Sequence, residues 1–327
     1  MNIAYSSSEY YFKPTYISIY SLLLNSSEKH NIFLLSSGVS NASKEKLEKL
    51  VVEFGSTLQV IEVRDFLESK ALKFKLPVMR GNYSTYARIF LADILPGAED
   101  ILLIDSDTLV VGDIYEIKKY QSNNPIMLAC RDYVISNKYS LHEDDELRFS
   151  EYFNMGVLYI NLRRWREEKL TEYLEINIDQ AKVLKIADQS ILNKYLIKSI
   201  EKLNLKFNFY TYFHYKFDYY FYKVQNNSTD FLSQSEFYDS RENPIIMHFI
   251  GAWYERPWYK NNICPFKIEY LKYWKSCFDV KELLEKPKLR LKNNIYDTIS
   301  QFIFKYFGLK AYFLFRYRLI QSMKGII

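Results

Sequence analysis

Two carboxylates one residue apart, Asp105 and Asp107, directly follow the apolar run 101–104. Four large aliphatic residues in succession are typical of a strand buried on both faces, in the middle of a parallel sheet. Ligands of open α/β sheets bind at the carboxyl ends of such strands. If the backbone stays extended past Ile104, the two carboxylates point the same way, because side-chain direction repeats every two residues.

Convergent carboxylates are costly to hold together unless a cation lies between them. Hard oxygen ligands favour Mg²⁺ or Mn²⁺, so the pair is a candidate metal site. The alternative is that Asp105 and Asp107 only cap a turn after the strand.

Strand and helix patterns alternate through the residues that precede this pair. The patterns predict strands over 2–6, 31–35 and 58–63, and helices over 14–24, from Asn41 or Ser43 to 54, and over 85–95. Beyond the pair they predict strands over 157–160 and 245–249, a helix over 171–183, and a helix capped by Asp188 that runs to 196. The alternation indicates a mostly parallel sheet with helices on both faces.

Length and composition indicate one large domain or a domain with an appendage. The chain has 327 residues and is 48% hydrophobic, which excludes general disorder and supplies ample core. Cys130, Cys264 and Cys277 are odd in number and widely spaced, which indicates a reducing compartment without a disulfide framework or zinc site. We see no secretory signal and no apolar stretch long enough to span a membrane, and therefore expect a cytoplasmic chain.

The net charge of +5 is concentrated in a tail. Residues 285–327 hold nine Lys/Arg and two acids, which makes +7 and leaves −2 for the first 284 residues. Aromatic residues interleave with these basic ones, and the combination suits an anionic membrane surface. The alternative is a helix that packs on the rest of the protein. Nucleic acid is not expected as a partner, since the first 284 residues are not basic and contain no recognised motif.

Five motifs occur in order along residues 1–260. They are Ser84-Thr85-Tyr86-Ala87-Arg88, Asp105-Ser106-Asp107, Phe153-Asn154-Met155-Gly156-Val157 with Ile160-Asn161-Leu162, Asp188-Gln189-Ser190-Ile191-Leu192-Asn193, and His248-Phe249-Ile250-Gly251 with Pro257-Trp258. Together they resemble glycosyltransferase family 8, in particular the bacterial lipooligosaccharide galactosyltransferases and lipopolysaccharide glucosyltransferases.

The resemblance implies a GT-A fold, which is Rossmann-like and α/β, with a mostly parallel sheet flanked by helices and here a basic-aromatic helical tail. It implies a retaining hexosyltransferase that moves galactose or glucose from a UDP-sugar to a saccharide acceptor in bacterial surface glycan biosynthesis. Mn²⁺, or Mg²⁺ in its place, would be held by Asp105, Asp107 and His248 and would bridge the two phosphates. The alternative is a non-catalytic protein of the same fold that binds UDP-sugar or glycan.

Site residues follow from the same resemblance. Gln189 and Asp188 are the expected catalytic residues, and because an amide is a poor nucleophile we favour an oxocarbenium-like front-face transfer that Gln189 supports electrostatically. The expected donor-binding residues are Ser6, Ser8, Tyr11, Arg88, Asp105, Ser106, Asn154, Asp188, Gln189, Gly251 and Arg256. Asn154 is also expected at a tight turn, because Gly156 follows closely.

Four residues at three sites depart from the family pattern. Ser8 and Tyr10 replace an Asp and an Asn near the nucleoside, Ser190 replaces a second Asp, and Arg256 stands where a Lys is expected. An Arg fork is a good phosphate ligand. Because Ser8 and Tyr10 replace the usual residues, contacts with the nucleobase and ribose are expected to differ from those of the related enzymes.

The acceptor is expected to be an oligosaccharide or a lipid-linked saccharide. Eleven Phe/Tyr lie within 207–222, and they form either an acceptor platform or a core and lid. We expect a catalytic domain over 1–262 and a helical extension over 263–327, which would place the protein peripherally on the inner face of the cytoplasmic membrane.

Overall fold

A central sheet organises the computed structural model, which describes residues 1–78, 82–121, 123–132, 152–178, 187–211, 219, 232–287, 298–308, 311–312 and 315. The chain forms two units, the first made of residues 1–209 and 219–248 and the second of 210–218 and 249–327. The described strands are β1 (Asn2–Ser7), β2 (Asn31–Ser36), β3 (Thr57–Glu62), β4 (Ile101–Ile104), β5 (Thr108–Val110), β6 (Met127–Arg131), β7 (Phe153–Ile160), β8 (Ile200–Leu203), β9 (Phe209–Tyr210) and β10 (Ile246–His248).

The large sheet has the strand order β3-β2-β1-β4-β7-β6-β8. Strands β1 to β4 are mutually parallel and β8 is parallel to β6, as the alternation of strands and helices predicts. Strand β7 runs antiparallel to both of its neighbours, β4 and β6, and begins earlier than predicted. The sheet is therefore mostly parallel, and β4 lies near its middle with all four residues buried.

Helices cover the sheet and supply the other side of the core. They are α1 (Phe12–Asn25), α2 (Asn41–Glu53), α3 (Arg64–Phe74), α4 (Leu91–Ile94), α5 (Leu162–Glu167), α6 (Leu170–Asn177), α7 (Ala187–Leu196), α8 (Gln234–Glu242) and α9 (Lys267–Cys277). Residues 298–308 are helical as well. Leu103 of β4, Phe90 and Trp165 belong to one buried cluster in the first unit.

Several local predictions are corrected. The helix expected over 85–95 is a 3-10 helix, Ser84–Ile89, followed by the single turn α4. The cap of α2 is Ser40, whose hydroxyl accepts from the Ser43 amide. The helix expected to reach 183 is described to residue 178, and its predicted end lies outside the described residues.

A short antiparallel pair follows the two aspartates. Strand β5 begins at Thr108 and pairs with β10, so that Thr108 lies opposite His248. This register brings a residue 141 positions along the chain next to Asp107. The pairing therefore explains how His248, at the end of a separate strand, reaches the carboxyl end of β4.

The second unit contains α9 and an aromatic cluster around it. Phe249 lies edge-on to Tyr270, with ring centroids 5.6 Å apart, and also contacts Trp258 at 6.0 Å. Tyr259 and Leu284 form a parallel bridge. Among the described residues of the whole chain, no helix has the length and apolarity that membrane crossing requires.

Candidate active site

Asp105, Asp107 and His248 come together at the carboxyl end of β4. Each offers one ligand atom, and these three atoms lie within 4.8 Å of one another. The aspartates converge although the backbone does not stay extended, because β4 ends at Ile104 and residues 106 and 107 form a turn. Carboxylate oxygens and an imidazole nitrogen form a donor set that suits Mn²⁺ or Mg²⁺.

The tautomer of His248 follows from a chain of hydrogen bonds. The Gly156 amide donates to Asn154 Oδ1 (2.9 Å), and Asn208 Nδ2 donates to the same oxygen (2.8 Å). Asn208 Oδ1 is therefore an acceptor, and it lies 2.8 Å from His248 Nδ1, which must carry a hydrogen.

The other ring nitrogen faces a carboxylate. His248 Nε2 lies 3.1 Å from Asp107 Oδ1, and both residues are buried. If the imidazole is neutral and carries its hydrogen on Nδ1, Nε2 has only a lone pair to direct at the lone pairs of Asp107 Oδ1, and the contact is unfavourable. A cation bound between the two groups would make this contact favourable, and the orientation of His248 by Asn208 is the arrangement usual behind metal-ligating histidines.

Gly156 is needed for the approach of His248. A Cβ at this position would lie 2.3 Å from His248 Cε1, so the imidazole packs directly against the strand backbone. The carbonyl of Gly156 also accepts a hydrogen bond from the Asp105 amide at 2.7 Å. One glycine of β7 thus contacts two of the three candidate ligands. Asn154, expected at a tight turn, instead lies inside β7, and this prediction was wrong.

Arg88 joins two of the predicted carboxylates. Its Nη2 lies 2.9 Å from Asp105 Oδ1 and its Nε lies 2.9 Å from Asp188 Oδ2. Burial disfavours the guanidinium, but Asp188 and Asp105 outweigh it and raise the pKa of Arg88. Burial raises the pKa of Asp105, Arg88 opposes that shift, and Asp107 reinforces it. A cation at this site would favour the charged carboxylate.

Gln189 is held at both ends of its amide. Nε2 donates to Asp132 Oδ2 at 3.1 Å, and Oε1 accepts from the Met155 amide at 3.2 Å. Asn154 Nδ2 donates to the same Asp132 oxygen at 3.1 Å. Because Oε1 is fixed as the acceptor, the structure defines which way the amide dipole points. Asp188, predicted as a helix cap, lies within the first turn of α7, and its carboxylate pairs with Arg88.

The predicted donor-binding residues near β1 have separate environments. The Ser106 hydroxyl donates to the Ser6 carbonyl and accepts from Thr15 Oγ1, both at 2.8 Å. Ser8 lines a cavity of about 420 Å³, and Tyr11 ends the 3-10 helix Glu9–Tyr11. The cavity is also lined by Ser37, Arg64, Leu67, Glu68, Val78, Asn82, Tyr83 and Ser84. Its volume falls in the range usual for small-molecule sites.

Gly251 and Arg256 belong to the second unit. Gly251 has a φ of 127°, a conformation that favours glycine. Arg256 is buried, and its guanidinium carbon lies 5.6 Å from the centroid of the Trp258 ring. Most of the aromatic stretch 207–222 lies outside the described residues, and Phe207, Phe209, Tyr210 and Tyr219 within it are buried.

Asp132 and Asn208 were missed by the reasoning from sequence. Asp132 directly follows β6, and a carboxylate at the end of a buried strand is the same signal that marked Asp105. Asn208 lies within the aromatic stretch and carries no local signal. Ser190, one of the departures from the family pattern, is buried with its hydroxyl 3.1 Å from that of Tyr152.

The fold is that of known glycosyltransferases. The crystal structure of the galactosyltransferase LgtC in complex with donor and acceptor sugar analogues superposes with a TM-score of 0.69 and 20% identity, over 88% of this chain and 98% of that one. The GT-A-type arrangement predicted from sequence is therefore confirmed.

The chain belongs to glycosyl transferase family 8, whose model matches residues 2–262. The lipopolysaccharide 1,2-glucosyltransferase of Escherichia coli strain K12 is 26% identical over 301 residues, which covers 88% of this chain and 83% of that protein. A Haemophilus influenzae relative is 30% identical over 212 residues, or 64% of this chain and 63% of its own length. The predicted family is confirmed, and the chain is a glycosyltransferase that takes a sugar donor and a saccharide acceptor.

Proposed function

We propose that this chain transfers glucose or galactose from a UDP-sugar to a saccharide acceptor during surface glycan biosynthesis, with retention of the donor's α-configuration and with Mn²⁺ or Mg²⁺ bound. The similarity to the lipopolysaccharide 1,2-glucosyltransferase of Escherichia coli supports a surface glycan as the product of the reaction. The observation that carries the proposal is the convergence of Asp105, Asp107 and His248, in which His248 Nε2 lies 3.1 Å from Asp107 Oδ1 and the other ring nitrogen is held by Asn208.

Asp105, Asp107 and His248 are the residues that would hold the cation. Bound there, it would supply charge neutralisation for the departing diphosphate. Arg88 favours the charged form of Asp105 and holds it in place by their ion pair, while Asn208 keeps the lone pair of His248 Nε2 directed toward the site. Both functions position the ligands before any substrate binds.

Gln189 is proposed to stabilise positive charge on the hexose ring. Its carbonyl oxygen is directed by Asp132 and the Met155 amide and keeps a second lone pair beyond the bond from Met155. Asp188 is held in an ion pair with Arg88, and the amide of Gln189 is the group proposed to face an oxocarbenium-like transition state. A front-face transfer without a covalent enzyme intermediate fits these roles.

The donor's nucleotide is proposed to bind along the ends of β1 and β4. Ser8 lines the 420 Å³ cavity with Arg64 and Tyr83, which supply a cationic and an aromatic surface for a nucleoside. Ser6, Tyr11, Ser106, Asn154, Gly251 and Arg256 complete the proposed donor-binding set by their match to the family motifs. Arg256 would bind the diphosphate through its guanidinium fork.

The tail is proposed to attach the protein to an anionic membrane surface on the cytoplasmic side. On helix 298–308, Phe302 and Phe307 are 54% and 67% exposed, so large aromatic groups are available to an interface. The charge of the surrounding segment is complementary to anionic lipid. Sedimentation with phosphatidylglycerol vesicles at low and high salt tests this, and equal binding to neutral phosphatidylcholine vesicles would contradict it.

UDP release from a panel of UDP-sugars, with Mn²⁺ and a lipooligosaccharide acceptor, tests the activity. We expect release with UDP-glucose or UDP-galactose, and NMR of the product should show an α-linkage. A β-linked product would contradict retention. Binding of UDP-sugar without release or transfer under all conditions would instead support the non-catalytic alternative.

A further inference from the structure

A short turn in the second unit is held by a residue from the far end of the chain. The turn follows Gly251 and comprises the 3-10 helix Trp253–Glu255 and Arg256. Within the turn, the Glu255 amide donates to the Ala252 carbonyl at 3.0 Å and the Arg256 amide to the Trp253 carbonyl at 3.1 Å. From outside the turn, the Ile263 amide donates to the Tyr254 carbonyl at 2.6 Å and the Tyr259 amide to the Arg256 carbonyl at 3.4 Å. A single turn with so few internal bonds needs outside contacts to keep one conformation.

Glu255 is the centre of those contacts. Its side chain is 2% exposed, and Oε2 accepts a hydrogen bond from the Ala252 amide at 2.7 Å. The other oxygen, Oε1, accepts from the hydroxyl of Tyr312 at 2.8 Å. A buried carboxylate must be hydrogen-bonded, so these donors contribute to holding Glu255, next to Arg256, in place.

Tyr312 is itself built into the second unit. It is fully buried, and its ring packs edge-on against Tyr254 (6.2 Å between centroids) and against Phe304 of helix 298–308 (6.0 Å). Because these contacts fix the ring, the hydroxyl of Tyr312 is held within hydrogen-bond distance of Glu255. Tyr312 therefore makes a buried contact with the turn, whereas Phe302 and Phe307 of helix 298–308 are exposed.

We propose that Tyr312 is a positioning residue that acts through Glu255 to hold the turn bearing Gly251 and Arg256 in its donor-binding conformation. This inference rests on the proposed function, in which Arg256 binds the diphosphate of the donor. Tyr312 then supports donor binding indirectly, through Glu255 and the turn, and its loss would affect donor binding apart from any attachment to a membrane.

The test uses the full-length chain with Tyr312→Phe, which keeps the ring and removes the donor. Hydrogen exchange over residues 249–259 should become several-fold faster at the Ala252, Glu255 and Arg256 amides. UDP binding in the presence of Mn²⁺, measured by calorimetry, should weaken several-fold, and the KM for the donor should rise more than kcat falls. Tyr306→Phe is the matched control, because this tyrosine on the same segment is 62% exposed, and it should change none of these values.

A double variant separates positioning from general destabilisation. In an Arg256→Ala background, Tyr312→Phe should cause no further loss of UDP affinity, because the residue through which it acts is gone. Unchanged exchange in Tyr312→Phe, or an equal loss of UDP affinity with and without Arg256, would overturn the inference. A wild-type chain that binds no UDP would count against the proposed function, whereas the exchange comparison decides by itself whether Tyr312 holds the turn.

Discussion

Asp132 Oδ2 accepts a hydrogen bond from Gln189 Nε2 at 3.1 Å, although the two residues are 57 positions apart in the chain. Asp132 is 1% exposed and receives a second amide hydrogen bond, from Asn154. A buried carboxylate that accepts two amide donors fixes the orientation of both amides. The direction in which the carbonyl oxygen of Gln189 points therefore depends on the hydrogen bond to Asp132.

Asp132→Asn should lower kcat by about tenfold, which corresponds to about 1.4 kcal/mol of lost transition-state stabilisation. The side chain of the substituted asparagine carries no charge and can also donate a hydrogen bond, so it no longer holds the Gln189 carbonyl oxygen in one direction. KM for the donor should change less than kcat. Steady-state UDP release measures both, and Asp239→Asn, an exposed carboxylate on α8, is the control. If the effects of Asp132→Asn and Gln189→Ala are additive in the double variant, Asp132 does not act through Gln189.

Gly156→Ala should weaken Mn²⁺ binding by roughly 10- to 100-fold, the range usual for changes to the groups that orient metal ligands. The new methyl group would lie 2.3 Å from His248 Cε1 and must displace the ring. Titration with Mn²⁺ followed by electron paramagnetic resonance measures the affinity. Gly97→Ala is the matched control, because a Cβ there meets nothing within 4 Å. Unchanged Mn²⁺ affinity in Gly156→Ala would show that His248 is not a ligand.

Removal of the metal should abolish UDP release, and added Mn²⁺ should restore it. Asp107→Asn should lower turnover on the order of 100-fold while the melting temperature stays close to that of the wild type, because the side chain lies at the end of β4 outside the main cluster. UDP release is measured in excess chelator, and the melting temperature is measured by differential scanning fluorimetry. Full turnover in chelator would refute the metal requirement.

The sheet and the two aspartates could be predicted from sequence because their signals are local. The apolar run 101–104 marks a buried strand by itself, and carboxylates at its end mark a ligand site. The antiparallel direction of β7 could not be predicted, since Val157 to Ile160 form the same apolar pattern in either direction. The extended path considered beyond Ile104 does not occur, because a turn at residues 106 and 107 leads into β5.

Contacts between distant segments were the part that sequence could not supply. His248 was found through its motif alone, and its placement depends on the register of β5 with β10. Asn208 bonds to His248 across 40 positions, and nothing in its neighbourhood distinguishes it from a core-lining polar residue. Tyr312 was noticed as one of many aromatic groups in the tail, whereas its bond to Glu255 depends on tertiary packing.

His30 should make the folded state less stable as the pH falls from about 6.5 toward 5. The ring is 2% exposed, and Nε2 lies 2.6 Å from the Ser26 hydroxyl. Burial, reinforced by the nearby N-terminus, lowers the pKa of His30 from its ordinary 6.5 to about 4. Over this range the unfolded chain therefore binds a proton while the folded chain does not. The free energy of unfolding is thus unaffected by His30 above its ordinary pKa and decreases as the pH falls below it. At about 1.4 kcal/mol per pKa unit, the decrease reaches about 2 kcal/mol by pH 5.

His30→Gln removes the titrating group and should flatten the pH dependence of the melting temperature between pH 7 and pH 5. Lys29→Gln, an exposed neighbour, should keep the wild-type dependence. The comparison stops at pH 5 because the carboxylates with lowered pKa, Glu62, Asp113 and Glu116, lose their stabilising contribution only at lower pH. Equal slopes for His30→Gln and the wild type would show that His30 takes up its proton in the folded state as readily as in the unfolded chain.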